Sequence, residues 1–105
     1  VRQHILHYLI YNKGVSKNLI AVERGIQVNG KMKRFDVVVF NKEGKPSLIV
    51  ECKATEEKIN QDVLLQIGSY NLNLNADFFW LTNGEQNYFM RLDGFEVLKE
   101  IPEVI

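Results

Sequence analysis

The sequence is poor in the residue types that define several classes of protein. It has one cysteine, Cys52, among 105 residues, so an internal disulfide and a zinc site built from several cysteines are excluded. No apolar run approaches the roughly 18 residues of a membrane-spanning helix, and no secretory signal peptide opens the chain. These absences predict a domain without a membrane span, and the lone thiol suits a reducing, cytoplasmic compartment.

The net charge is zero, because thirteen basic residues balance thirteen acidic ones. Domains that bind nucleic acid usually carry a basic excess, so binding of this kind would have to come from a local cluster. Lys31, Lys33 and Arg34 form such a cluster just before Asp36. They are candidate DNA contacts, although short basic runs are also common in solvated turns.

The length and composition are those of one small globular domain. The 105 residues are enough for a single core and too few for two, and 46% of them are hydrophobic and 25% charged. We therefore expect one domain over residues 1–105. Its first residue is Val1 rather than methionine, which fits a fragment of a longer chain.

Hydrophobic periodicity divides the chain into two helices and several strands. Apolar residues at a spacing of three to four predict helices over Val1–Tyr11 and from Glu56 to about Leu74. Asn29-Gly30 predicts a tight hairpin turn, and the second helix is long enough to let its flanking strands pair in parallel. The sequence thus predicts an α/β fold, a mixed sheet flanked by helices. The predicted strands cover residues 20–28, 35–40, 47–53, 77–82, 88–92 and 95–98.

Three charged residues interrupt strands that are otherwise apolar. Glu51 and Lys53 are two positions apart, so their side chains project from the same face of their strand. Asp36 interrupts the neighbouring strand, where a β-branched or aromatic residue would be the easy choice. If the two strands pair side by side, the three charges converge at one edge of the sheet.

This trio suits the hydrolysis of phosphodiesters. Two carboxylates, with water and a phosphate oxygen, are ligands that Mg²⁺ prefers, with Mn²⁺ as a substitute. A lysine beside them could orient or deprotonate the attacking water and stabilise the charge of the transition state. An ion pair between Asp36 and Lys53, with Glu51 solvated, would account for the same pattern without catalysis.

The order of these residues resembles that of the PD-(D/E)XK nuclease superfamily, whose fold is the restriction-endonuclease-like mixed sheet. More narrowly, nearly the whole chain is similar to the nuclease domain at the N-terminus of type I restriction enzyme R subunits. Phe35 stands where the superfamily has its proline, which the R-subunit family also commonly lacks. The matching segments are Val22-Glu23, Lys33 to Phe40, Gly44-Lys45-Pro46, Ile49 to Ala54, Gln66 to Tyr70 and Leu81 to Gly84.

The resemblance implies a role for each matching residue. Asp36 and Glu51 would ligate the divalent metal, Lys53 would be the catalytic lysine, and Glu23 matches an upstream acidic position. Gln66 and Tyr70 match a Gln-x-x-x-Tyr motif that contributes to the active site and to DNA contacts. They share a helix face with Val63 and Ile67, and that face is expected to pack on the sheet and bring Gln66 near Glu51.

Three functions follow as hypotheses. The first is a Mg²⁺-dependent endonuclease domain of a type I restriction-modification system, acting on double-stranded DNA. R subunits also carry a helicase motor, which 105 residues cannot hold, so activity could require motor and specificity or methylation subunits. The second is an inactive nuclease-fold module that binds DNA or a partner. The third is a structural ion-pair network.

Overall fold

The computed structural model describes residues 2–28, 30–70 and 75–100, without the side chains of Val28 and Tyr70. A helix, α1, comes first, and a single 3-10 turn leads from it into the first strand. A second helix, α2, lies between the third and fourth strands. The elements are α1 (Arg2–Tyr11), the 3-10 turn (Lys17–Leu19), β1 (Ile20–Val28), β2 (Lys31–Phe40), β3 (Pro46–Cys52), α2 (Gln61–Tyr70), β4 (Phe78–Thr82), β5 (Asn87–Arg91) and β6 (Glu96–Leu98).

The six strands of the described residues form one mixed sheet in the order β1-β2-β3-β4-β5-β6. Strands β1, β2 and β3 form an antiparallel meander, and β4, β5 and β6 form another. The central pair, β3 and β4, is parallel, with Leu48 opposite Phe78 and Cys52 opposite Thr82. A parallel pair needs a long crossover, which α2 supplies. The predicted α/β architecture, including this parallel pair, is confirmed.

The sheet separates two hydrophobic clusters. The α1-side cluster joins Ile5 and Leu9 of α1 to Val37, Val50 and other strand residues. The α2-side cluster joins Leu64 of α2 to strand residues that include Phe35, Val38, Ile49, Phe79 and Leu81. The helices therefore cover opposite faces and leave the sheet buried between them. Within the described ranges, neither helix is long and apolar enough to cross a membrane.

The second helix begins at Gln61 rather than at the predicted Glu56. Asn60 acts as its N-cap, because the side-chain oxygen of Asn60 accepts the backbone N–H of Val63 at 2.9 Å. Just before the cap, the carbonyl of Glu57 accepts the side-chain amide of Asn83 at 2.8 Å. Backbone groups upstream of Asn60 are thus bonded outside the helix, which the spacing of apolar residues alone cannot reveal. Residues 71–74, the predicted end of the helix, lie outside the described residues.

The ladder between β1 and β2 breaks at one position. Val22 lies opposite Val37 and Arg24 opposite Phe35, but the intervening Glu23 and Asp36 are not paired. Glu23 has a φ of 50°, in the left-handed region that side chains other than glycine rarely adopt. Across the break the strands exchange faces, because Val37 packs in the α1-side cluster and Phe35 in the α2-side cluster.

Because the backbone of Glu23 is left-handed, we expect glycine at this position to be more stabilising than alanine, the reverse of their order in an ordinary strand. In an ordinary strand glycine is less stable than alanine, but a left-handed residue with a Cβ costs about 1–2 kcal/mol. We therefore expect Glu23→Gly to unfold with a free energy about 1 kcal/mol higher than that of Glu23→Ala, measured by urea denaturation. Both variants lose the exposed ion pair of Glu23 with Arg2, so this loss cancels. An alanine variant at least as stable as the glycine variant would show that the backbone of Glu23 is not strained.

Candidate active site

Glu51 and Lys53 meet at the carboxyl end of β3. Glu51 lies two residues after Ile49, so its side chain projects toward the α2 face of the sheet. The Nζ atom of Lys53 lies 3.0 Å from Oε2 of Glu51, and their side chains are 30% and 19% exposed. The sequence had left open an ion pair between Asp36 and Lys53, but the structure pairs Lys53 with Glu51.

The surroundings of Lys53 favour its charged form. The hydrogen bond with Glu51 raises the pKa of Lys53, burial lowers it, and the charges of Glu51, Glu57 and Asp36 raise it further. The net shift is upward, so Lys53 is an ammonium at neutral pH. An ammonium donates hydrogen bonds and has no lone pair with which to accept a proton.

Asp36 lies where β2 separates from β3. The last register pair toward this end of the two strands is Val37 with Val50. Beyond it, Oδ2 of Asp36 accepts the backbone N–H of Cys52 at 2.7 Å. The carboxylate therefore takes the place of a backbone acceptor, and this bond holds it beside the residue that separates Glu51 from Lys53.

Cys52 is structural rather than nucleophilic. Its side chain projects from the opposite face and packs against the α1-side cluster. Burial, followed by the negative charge of Asp36, raises the pKa of the thiol to about 11. The thiolate is the nucleophilic form of cysteine, so Cys52 is protonated and inert at neutral pH.

The two carboxylates have the donor chemistry of a Mg²⁺ site. Asp36 uses Oδ2 for Cys52, and Glu51 uses Oε2 for Lys53. For the other oxygen of each carboxylate, the described residues give no hydrogen bond or ion pair. Mg²⁺ is often bound by one or two carboxylates while it keeps several waters, so this pair fits it. In the described part of the chain, no three His, Cys, Asp or Glu side chains gather to hold a metal ion.

The remaining acidic candidate, Glu23, is engaged elsewhere. Its carboxylate lies 3.2 Å from the guanidinium of Arg2 on α1, and both side chains are exposed. Since no group of three such ligands gathers in the described residues, the structure does not bring Glu23 together with Asp36 and Glu51. Its role as a third metal ligand remains a prediction from the resemblance.

The structure places Gln66 on the exposed side of α2. Leu64 and Gly68 face the protein interior, whereas Gln66 is exposed, because two residues advance a helix by about 200°. No hydrogen bond joins Gln66 to Glu51 or Lys53 in the described residues. Tyr70 is the last residue of α2, and its side chain lies outside the description.

Sequence reasoning missed the turn that supports the site. The backbone N–H of Lys53 donates to the carbonyl of Thr82 at 2.7 Å. Asn83, only 3% exposed, donates to the carbonyl of Glu57 and accepts the N–H of Gln86 at 2.7 Å. The β4–β5 turn thus holds the loop that follows Lys53. The dipeptide Asn83-Gly84 is typical of a turn, but hydrogen bonds between residues 26 positions apart leave no periodic pattern in the sequence.

One comparison with known proteins identifies a family. Residues 1–102 match the model of the family described as type I restriction enzyme R protein N terminus. No curated protein and no solved structure matches the chain. The family match covers nearly all of the sequence, including every residue of the candidate site, and it confirms the family that the motifs resemble.

Proposed function

The chain belongs to the family of type I restriction enzyme R protein N-terminal domains, and on that premise we propose that it is a Mg²⁺-dependent DNA endonuclease domain. The reaction is hydrolysis of a phosphodiester bond in double-stranded DNA. One observation carries the proposal: a lysine ammonium and two carboxylates meet where β2 and β3 separate. In the structure Lys53 is bonded to Glu51, and Asp36 is bonded to the intervening Cys52.

Asp36 and Glu51 would hold the metal ion through their second oxygens. Bound there, Mg²⁺ would lower the pKa of a bound water and offset the charge that develops on the phosphate. Mn²⁺ is expected to substitute, because it also prefers carboxylate and water ligands. The backbone bond from Cys52 orients Asp36 in advance, so less conformational freedom is lost when the metal binds.

Lys53 would act on the phosphate as a hydrogen-bond donor and a positive charge. Its ammonium favours a role in stabilising transition-state charge over one in deprotonating water, because fixed donors near developing charge lower the barrier. Thr82, bonded to the Lys53 backbone, and the Asn83 turn would keep this charge in place. An enzyme gains from such rigidity, because the donors need not reorganise during the reaction.

The partners are expected to be double-stranded DNA and the other parts of a restriction system. The basic cluster of Lys31, Lys33 and Arg34 lies on β2 just before Asp36, where its positive charge would attract the phosphate backbone. A helicase motor and specificity or methylation subunits would bring DNA to the site. Such dependence would suit a domain whose net charge is zero.

The alternative is a nuclease fold that binds DNA or a partner without cleaving. Two observations favour it: Gln66 is exposed and not bonded to Glu51, and Lys53 neutralises one of the two carboxylates. Such a module would bind DNA with a steep salt dependence and would release no cleaved product. Turnover by the isolated domain would exclude this alternative.

The proposal is tested with the wild-type domain in two assays. Calorimetry is expected to show Mg²⁺ binding, and supercoiled plasmid is expected to be nicked or linearised with Mg²⁺ or Mn²⁺ but not with EDTA. Absence of metal binding would overturn the metal-dependent mechanism. Metal binding without cleavage, both alone and with a motor subunit added, would favour the inactive module.

A further inference from the structure

Residues 24–28 and 31–35 form a two-stranded arm at one edge of the sheet. They pair only with each other, from Arg24 opposite Phe35 to Val28 opposite Lys31, because the pairing of β2 with β3 starts at Val37. The five residues of β1 in this arm span about 16 Å. The arm leaves the sheet at the end where β2 begins and where the antiparallel β3 reaches Glu51.

The arm concentrates positive charge in a neutral protein. Residues 24–34 contain Arg24, Lys31, Lys33 and Arg34 and no acidic residue. The sequence alone does not tell which of these cations face the candidate site, because that depends on the path of the strands. The break at Glu23 and Asp36 determines from which face of the sheet each of these side chains projects.

Three of the four cations lie on the α2 face of the arm. Lys33 is paired with Ile26, which packs against the α2-side cluster, and its Nζ lies 5.2 Å from the ring of Phe35. Lys31 is two residues before Lys33 and projects from the same face. Arg24 projects from the same face, but its guanidinium lies over the ring of Phe40, outside the arm. Arg34, which alternates with Lys33, projects from the other face.

The α2 face is also the face of Glu51 and Lys53. If the ladder had continued unbroken past Val37, the odd positions of β2 would have remained on the α1 face. Lys31 and Lys33 would then lie across the sheet from Glu51. The break therefore places these two lysines and the candidate site on one face. Because α2 packs mainly against β5, it lies away from the arm.

We propose that the α2 face of the arm is a track for the phosphate backbone of duplex DNA, aimed at Glu51 and Lys53 by the break at Glu23 and Asp36. The role of Glu51 and Lys53 as the cleavage site rests on the proposed function, whereas binding of DNA to the arm does not depend on it. An arm of about 16 Å spans the rise of roughly five base pairs. A two-stranded ribbon also has the width that the major groove of a duplex admits.

Binding can be measured without cleavage, so the track is testable apart from the nuclease. A labelled 20-base-pair duplex is titrated with the domain in EDTA at several KCl concentrations, and fluorescence anisotropy gives the affinity. We expect Lys31→Ala to weaken binding about three- to tenfold and to reduce the slope of log affinity against log salt by about 0.9. We expect Arg34→Ala, the same charge on the other face, to have a smaller effect.

Lys99→Ala is the matched control, because Lys99 is exposed and outside the arm, and it should bind like the wild type. An effect of Arg34→Ala equal to or larger than that of Lys31→Ala would contradict the assignment of DNA binding to the α2 face of the arm. Equal behaviour of Lys31→Ala and Lys99→Ala would overturn the track. Tighter binding of a single-stranded 20-mer would overturn the duplex as partner. Binding through the arm with no cleavage in Mg²⁺ would leave the track standing and refute only the nuclease.

Discussion

Replacement of Lys53 by alanine is expected to lower the rate of DNA cleavage by about 100- to 10,000-fold, the range typical of a catalytic group that acts on the transition state. The fold should survive, because the pair with Glu51 is partly exposed and such pairs contribute roughly 0–1 kcal/mol. Mg²⁺ binding should be at least as tight as in the wild type, because Glu51 loses its competing partner.

The measurement combines plasmid cleavage, calorimetry with Mg²⁺ and thermal unfolding of the same preparation. Lys45→Ala is the control, because Lys45 is exposed in the turn between β2 and β3 and its loss should change none of the three. A large fall in melting temperature with cleavage intact would instead make the ion pair of Glu51 and Lys53 structural.

Replacement of Asp36 by asparagine is expected to weaken Mg²⁺ binding by at least about tenfold and to abolish cleavage. A neutral amide is a poorer ligand for a hard cation than a carboxylate. The amide oxygen still accepts the N–H of Cys52, so the stability of the fold should be preserved. Asp36→Ala removes this acceptor as well, and it should lower the free energy of unfolding by a further 1–3 kcal/mol or so.

The pair of variants separates the two tasks of Asp36. Calorimetry measures the metal site and urea denaturation measures the fold. Asp93→Asn is the control, because Asp93 is exposed in the β5–β6 turn and Asn-Gly suits such a turn as well as Asp-Gly. Unchanged Mg²⁺ affinity in Asp36→Asn would remove Asp36 from the metal site. Equal stability of Asp36→Asn and Asp36→Ala would contradict its bond to the backbone.

The convergence of Glu51 and Lys53 was predictable because it depends only on strand geometry. Residues two apart on a strand share a face whatever the rest of the fold does. The parallel pairing of β3 with β4 was predictable for a similar reason, since a helical segment between two strands permits few connections. Both predictions needed only the local periodicity of the side chains and the order of the elements along the chain.

The exchange of faces at Glu23 was not predictable in this way. Ile20, Val22, Ile26 and Val28 occupy even positions, interrupted only by Arg24, and this alternation indicated one buried face. In the structure Ile20 packs in the α1-side cluster and Ile26 in the α2-side cluster. Both faces of the sheet are covered by a hydrophobic cluster, so apolar residues are satisfied on either side. A left-handed residue that is not glycine leaves no signal in the pattern.

The exposure of Gln66 was not predictable for a related reason. The prediction that it would approach Glu51 assumed that the Gln-x-x-x-Tyr face packs on the sheet together with Val63 and Ile67. Those two residues do pack against the α2-side cluster, yet they lie at its margin, and Leu64 sets the buried direction of the helix. A stripe of apolar residues broader than half a turn cannot fix the rotation of a helix to within one residue.

The charge of the arm has a consequence for how the protein meets a polyanion. Four of the protein's thirteen basic residues and none of its thirteen acidic residues lie in residues 24–34. The neutral molecule is therefore an electric dipole with the arm at its positive end. The attraction of a dipole falls off faster with distance than that of a net charge, and salt screens it beyond about 10 Å at 0.1 M. The field would therefore act mainly as a torque at close range, and it would turn the arm toward a polyanion before contact.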